Sequence, residues 1–126
     1  TEHWYKLVQG DWIVSPMGRR WKLPATSFGW RRAQNYPVQS FASDLLLLGI
    51  RALYFRLKKF KMVSRIIGTV HDSVLLEAPK RELKDLKEIL SETLEHPDTK
   101  KFGFDLTVPL MVETKAGRTL ATLEAI

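Results

Sequence analysis

Gly68-Thr69-Val70-His71-Asp72-Ser73-Val74-Leu75-Leu76-Glu77 is the stretch whose reading decides the fold. Two β-rich runs, Val63 to Val70 and Val74 to Glu77, leave only His71, Asp72 and Ser73 between them. Parallel strands need a long crossover, so a gap this short predicts an antiparallel hairpin. Asp and Ser are ordinary turn formers; His is not, and the Gly or Asn of a plain tight turn is missing. An imidazole and a carboxylate therefore stand at the end of a sheet where chain reversal needs neither. Spacing alone leaves two readings open: an Asx-type turn with a bystander His, or a carboxylate held out to a divalent cation.

Downstream, Pro79 to His96 carries Leu83, Leu86, Leu90 and Leu94 on one stripe with charges opposite, which predicts an amphipathic helix lying on the sheet. Leu106 to Glu113 alternates, with Leu106, Val108, Leu110 and Val112 on one side, and Pro109 marks it as an edge strand. The expected fold class is α+β: a small antiparallel sheet built as β-β-α-β and covered by helices. Residues 118–126 read as a short, frayed tail.

Upstream, Ser40 is the expected N-cap of a helix from Phe41 to Lys59 whose first turns are apolar nearly all round, as in a buried core helix. Arg56, Lys58 and Lys59 complement the negative end of its dipole. Within Ala25 to Gln39, the residues Arg31, Asn35 and Gln39 fall at i, i+4 and i+8, stacking three long hydrogen-bonding side chains on one helical side. Pro37 is expected to break or restart that helix. Such donors match the acceptors that every base pair shows in the minor groove, and they match a solvated helix face equally well. Residues 11–24 read as a short hairpin around Ser15-Pro16-Met17-Gly18, with Arg20 and Lys22 outward and Trp21 inward. Thr1 to Gln9 reads as the tail of a helix, with Trp4, Leu7 and Val8 on one stripe and Gly10 as its stop.

The 126 residues, 44% hydrophobic and 27% charged, suit one domain, and the absence of Cys excludes disulfides and thiolate metal sites. The longest apolar run, Leu45 to Ile50, is too short to span a bilayer. Charge is uneven. Residues 1–70 hold twelve Lys or Arg against three acids, and residues 71–126 hold eight against eleven. A basic half with interspersed Trp and Tyr suits a polyanion, nucleic acid being the commonest. There is no Gly-rich phosphate loop, no nucleophile elbow, and no clustering of His3, His71 and His96 in sequence.

Taken together, Arg31…Asn35-Tyr36-Pro37-Val38-Gln39-Ser40-Phe41-Ala42-Ser43-Asp44-Leu45 and Val70-His71-Asp72-Ser73…Glu77-Ala78-Pro79 resemble the C-terminal palm region of family A DNA polymerases, the bacterial DNA polymerase I type. Gly18-Arg19-Arg20 and Val108-Pro109-Leu110…Val112-Glu113 extend the resemblance over nearly the whole chain. It implies that Asp72 matches the family's motif C aspartate, a ligand of the catalytic Mg²⁺ ions, with His71 near the primer end. It further implies that Arg31, Asn35 and Gln39 hold primer-template DNA from the minor-groove side. Arg20 and Lys22, outward on their strand, match phosphate contact and a solvated face equally well, and Arg20 is taken as a further candidate DNA contact. Phosphoryl transfer needs cations and positioning more than covalent help, which suits a carboxylate on a rigid hairpin beside a sequence-blind clamp.

Two departures stand out. Ser73 occupies the position where most of the family has Glu, and His-Asp-Ser is familiar from single-subunit RNA polymerases, whereas Asn-Tyr-Pro-Val-Gln favours the DNA enzymes. The family's other metal-binding aspartate and its nucleotide-binding helix have no counterpart here, since Asp11 and Asp44 lie in other contexts. The expectation is therefore a single unit, 1–126, with a DNA-contacting segment 1–39 and a core helix plus sheet unit 40–126. It is expected to be a fragment of a longer polymerase or one chain of a split enzyme, inactive alone. Its partners would be primer-template DNA, deoxynucleoside triphosphates and the remainder of the polymerase, in the cytoplasm of a bacterial or phage-infected cell. The competing expectations are a free-standing nucleic-acid-binding module with a ferredoxin-like sheet and a fragment of a single-subunit RNA polymerase.

Overall fold

A computed structural model describes residues 8–9, 12–22 and 28–126, the side chains of 8–9 and 28–31 excepted. In chain order the described elements are β1 (Val8–Gln9), β2 (Trp12–Val14), β3 (Arg20–Lys22), α1 (Phe28–Lys59), β4 (Arg65–Val70), β5 (Ser73–Glu77), α2 (Leu83–Glu95), β6 (Lys115–Ala116) and β7 (Glu124–Ala125). Short 3₁₀ turns occupy Lys80–Glu82, Lys100–Phe102 and Leu120–Thr122. The strands form three separate antiparallel sheets, β1-β2-β3, β4-β5 and β6-β7. The architecture is α+β, as expected.

The core lies where α1, α2 and the β4-β5 hairpin meet. Leu53 and Leu57 of α1 pack with Leu86, Ile89 and Leu90 of α2, and Ile66, Val74 and Leu76 of the hairpin close the cluster from the side. Leu53 is 0% exposed, and each such leucine contributes about 1.5–3 kcal/mol of burial. The two helices approach closely at Gly49, where a Cβ would stand 2.7 Å from the Leu94 Cδ2 and 3.2 Å from the Thr93 carbonyl oxygen. The amphipathic stripe on α2 thus faces α1 as well as the hairpin.

Two carboxylates lace the irregular segments to α2. Glu82 accepts hydrogen bonds from the Val63 N–H (3.0 Å), the Ser64 N–H (2.9 Å) and the Ser64 hydroxyl (2.5 Å), pinning the start of β4 to the start of the helix. The Ser64 hydroxyl and then the Val63 N–H hold its carboxyl below the usual carboxylate range. Glu95 accepts from the Ser91 hydroxyl (2.7 Å) and the Val112 N–H (3.0 Å), and those bonds lower its pKa in the same way.

Several expectations change. Helix α1 is continuous from Phe28 to Lys59 with Pro37 inside it, so Ser40 is a mid-helix residue and not an N-cap. The donor lost at Pro37 is the one that Ala33 would have received. Proline inside a helix costs about 3 kcal/mol, which does not break a helix whose sides are held by tertiary packing. Pro37 and Ala33 are themselves buried. The helix is also not covered all round. Its buried line runs through Leu45, Gly49, Leu53 and Leu57, while Val38 and Leu47 are 62% and 54% exposed.

Because it continues through Pro37, α1 from Arg32 to Lys59 is long and apolar enough, by length and composition, to cross a membrane. Its buried line against α2 and the hairpin reads instead as a packing helix.

The expected edge strand at Leu106 to Glu113 does not form, and that segment is irregular. Alternation is present, but among the described residues no strand lies alongside it. The Val112 N–H is taken by Glu95 instead of a ladder carbonyl. Without that strand there is no β-β-α-β sheet, and the ferredoxin-like module loses its basis. The C-terminal tail is ordered, with β7 pairing back on β6, Lys115 opposite Ala125. Gly117 permits the close turn, since a Cβ there would stand 2.2 Å from the Thr122 carbonyl oxygen. Val8–Gln9 is strand, not helix tail, and pairs with Trp12 and Ile13. Thr1 to Leu7, Gly10, Asp11 and Leu23 to Ser27 lie outside the described residues.

Candidate functional site

The hairpin tip is tighter than the sequence suggests. Ser73 opposite Val70 is the last pair of the β4-β5 ladder, so the loop is His71-Asp72 alone. A two-residue loop favours positive φ at a central position, and His71 adopts it at φ 53°. The Ser73 hydroxyl donates to the Val70 carbonyl (2.7 Å), closing the turn from below. Its hydroxyl is thus committed to the turn itself, at the position where the resembled family usually carries Glu. Farther down, the register shifts between Ile66 and Gly68, a bulge that leaves Ile67 as the extra residue.

His71 and Asp72 are both exposed. The Asp72 carboxylate has no hydrogen bond or ion pair with any described residue. An Asx-type turn would have used it, so that reading of the tip is not the one observed. Among the described residues no three His, Asp or Glu side chains gather as a metal-binding group. Both Asp72 oxygens are available to a hard cation, and Mg²⁺ is usually held by one or two carboxylates together with phosphates. The donor set fits one ligand of such a site and not a whole site.

A second constellation forms where the first sheet rests on α1. The Ser15 hydroxyl accepts from the Met17 N–H (3.2 Å) and the Arg19 N–H (3.0 Å), and the Gly18 N–H donates to the Ser15 carbonyl (2.9 Å). The Arg19 guanidinium then donates from Nη2 (2.6 Å) and Nε (3.1 Å) to Oδ1 of the buried Asp44 on α1. That hydrogen bond and the charge of Asp44 raise the pKa of Arg19. So anchored, β3 lays Trp21 near Tyr36, ring centroids 6.1 Å apart. Trp21, Tyr36, Gln39, Ser40 and Ser43 line a shallow cleft of about 170 Å³.

Asn35 and Gln39 are exposed one helical turn apart, and Arg31 occupies the turn before, its side chain outside the described residues. Arg20 is exposed beside Trp21 and points to the other face of β3 by strand alternation. The structure therefore brings Gln39 to Trp21 in one cleft and leaves His71 and Asp72 as neighbours at the hairpin tip. No hydrogen bond joins these two groups among the described residues. Sequence reasoning missed the cleft, although Gln39, Ser40 and Ser43 already stood on one side of a helix as polar interruptions of an apolar run. Asp44, which does not stand in the context of the family's other metal-binding aspartate, is held by Arg19.

Residues 13–122 match the model of DNA polymerase family A. DNA polymerase I of Bacillus caldotenax is 33% identical over 119 residues, 88% of this chain and 13% of the relative. That of Caldicellulosiruptor bescii is 39% identical over 87 residues, 69% of this chain and 10% of the relative. Among solved structures, the POL domain of Pol1 from M. smegmatis, in complex with DNA primer-template and dNTP, superposes with a TM-score of 0.68 at 27% identity. That match covers 80% of this chain and 18% of the other. The chain thus spans roughly a tenth of the length of these curated relatives. On a match that takes in both the Gln39 cleft and the His71-Asp72 tip, this chain belongs to DNA polymerase family A.

Proposed function

We propose that the chain supplies the C-terminal part of the palm of a DNA-directed DNA polymerase, which adds deoxynucleotides to a primer under template direction. The observation that carries the proposal is Asp72: a carboxylate on a two-residue hairpin tip, without a partner among the described residues, within a family A chain. Bound Mg²⁺ ions would stabilise the attacking and leaving oxygens of the phosphoryl transfer. Asp72 would be one of their ligands, and the other carboxylate comes from outside this chain, in a longer polypeptide or a separate subunit. His71, next to it at the tip, would face the primer end. Asn35, Gln39 and Arg31 would donate to minor-groove acceptors common to all base pairs, and Arg20 would meet backbone phosphate. Gln39 and Trp21 line the same cleft, so a hydrogen-bonding side chain and an aromatic ring stand together at the surface assigned to the duplex. The M. smegmatis protein is described with primer-template and dNTP, which supports the same partners here.

In the complete enzyme, Asp72→Ala is expected to abolish nucleotide addition while primer-template binding, measured by anisotropy, stays largely intact. Near-normal extension by that variant would remove Asp72 from the metal site. Gln39→Ala removes hydrogen bonds worth about 0.5–1.5 kcal/mol each, so primer-template affinity or extension should fall roughly 2–10-fold without any new base preference. A newly sequence-selective variant would count against minor-groove contact.

A further inference from the structure

We infer a second nucleic-acid site on this chain: a recess at the C-terminal end of α1 that takes one nucleotide of a single strand, with phosphate on Lys58, Lys61 and Arg65 and the base on Tyr54. It goes beyond the polymerase reading and uses none of the residues assigned there. The recess has a volume of about 390 Å³, with Leu57 and Met62 among its lining residues and Tyr54, Lys58, Lys61 and Arg65 around them. That space suits a nucleotide-sized group and not a duplex. Residues 51–65 contain six Lys or Arg and no acid. Arg56 is paired with Glu92 (3.2 Å), whereas Lys58, Lys61 and Arg65 form no ion pair among the described residues.

The cations are held in place by the way the helix ends. The Met62 N–H donates to the Leu57 carbonyl (3.0 Å) and the Lys61 N–H to the Lys58 carbonyl (3.1 Å), the paired bonds of a Schellman motif. Lys61 occupies its left-handed position at φ 52°, where Gly is the usual residue. A strained lysine thus faces the recess where glycine would be the easier choice. Tyr54 is 46% exposed, and the Lys58 ammonium rests 4.6 Å from the centre of its ring. A flexible ammonium of this kind moves onto a phosphate when a base takes its place, and an aromatic face beside a cationic groove is how single strands are bound without sequence preference.

The site is separate from the hairpin tip. Arg65 begins β4 and Val70 ends it, so at about 3.3 Å per residue the recess and Asp72 lie roughly 20 Å apart along the strand.

The test uses the full chain and a fluorescent oligo-deoxythymidine, with affinity read by anisotropy across a salt series. Tyr54→Ala is expected to weaken binding by roughly 5–100-fold, the range of one lost base stack. Lys61→Gly relieves the left-handed strain, so it should raise the melting temperature and yet weaken binding and flatten the salt dependence. Lys87→Ala and Lys101→Ala, exposed cations outside the recess, should leave oligo-deoxythymidine affinity unchanged. Unchanged affinity in Lys61→Gly or Tyr54→Ala overturns the site. So does a loss in Lys101→Ala equal to that in Tyr54→Ala, which would mean that surface charge alone holds the strand. Binding of inorganic tripolyphosphate as tight as that of the oligonucleotide would overturn the base contact. Binding of phosphatidylglycerol vesicles without binding of the oligonucleotide would make the patch a membrane surface.

Discussion

Glu82 shows how much one side chain organises here, because three donors from Val63 and Ser64 converge on it. Its folded pKa lies below the ordinary value of 4.5. The unfolded chain therefore binds the proton more readily, and stability rises with pH through that window. The contribution is fully present above about pH 4.5 and is lost as pH falls through the depressed folded value. Melting temperature measured from pH 6 to pH 3 should drop steeply below that point, and Glu82→Gln should show a shallower drop from a lower plateau. Equal acid slopes in the two proteins would remove Glu82 as the cause. Asp72 is the opposite case: a carboxylate with no partner among the described residues, legible in the sequence because a turn needs no His-Asp. What the sequence did not show is that Ser73 belongs to the strand and turns its hydroxyl onto Val70.

At the scale of elements, the contact of α1 with α2 depends on Gly49. A Cβ there meets the end of a flexible Leu94 side chain at 2.7 Å but also the Thr93 carbonyl at 3.2 Å. Alanine in place of glycine improves helix propensity by about 1 kcal/mol, against an overpacking cost of about 1–3 kcal/mol. Gly49→Ala should therefore be mildly destabilising in urea melts, and Gly49→Val, larger and β-branched, clearly more so. A stabilised Gly49→Val variant would contradict the packing. Leu53→Ala, at the centre of the same seam, should cost about 2–5 kcal/mol. The long helix also shows where local rules fail. Pro37 reads as a break, yet Ala33 and Pro37 are buried on the same helical side as Asp44, the residue that Arg19 grips, and the helix runs on through them.

For the whole molecule, the apolar surface left open is as informative as the core. Val38 and Leu47 on α1, and Ile67 and Val70 on the hairpin, are all more than half exposed. Surfaces of this kind suit coverage by a further polypeptide, and this chain spans roughly a tenth of its curated relatives. The isolated chain should then bind a hydrophobic dye such as ANS at neutral pH while keeping a cooperative melt. On the function proposed above, adding a polypeptide that carries the second metal-binding carboxylate should quench that signal and bring extension activity. Dye binding that persists after activity is restored would mean that these faces serve another purpose.

The hairpin, the two-sided helix α2, the Arg20-Trp21-Lys22 alternation and the family itself were determined by the sequence alone. Each rests on local spacing, turn chemistry or a motif that needs no distant partner. Only the tertiary structure decided that Leu106 to Glu113 is not a strand, that α1 runs through Pro37 and that β7 returns to β6. A ladder needs a neighbour within hydrogen-bonding distance, and a helix outlasts a proline only where other elements hold its sides. Periodicity in a sequence records which face of a segment is apolar, and it carries no information about what comes to lie against it.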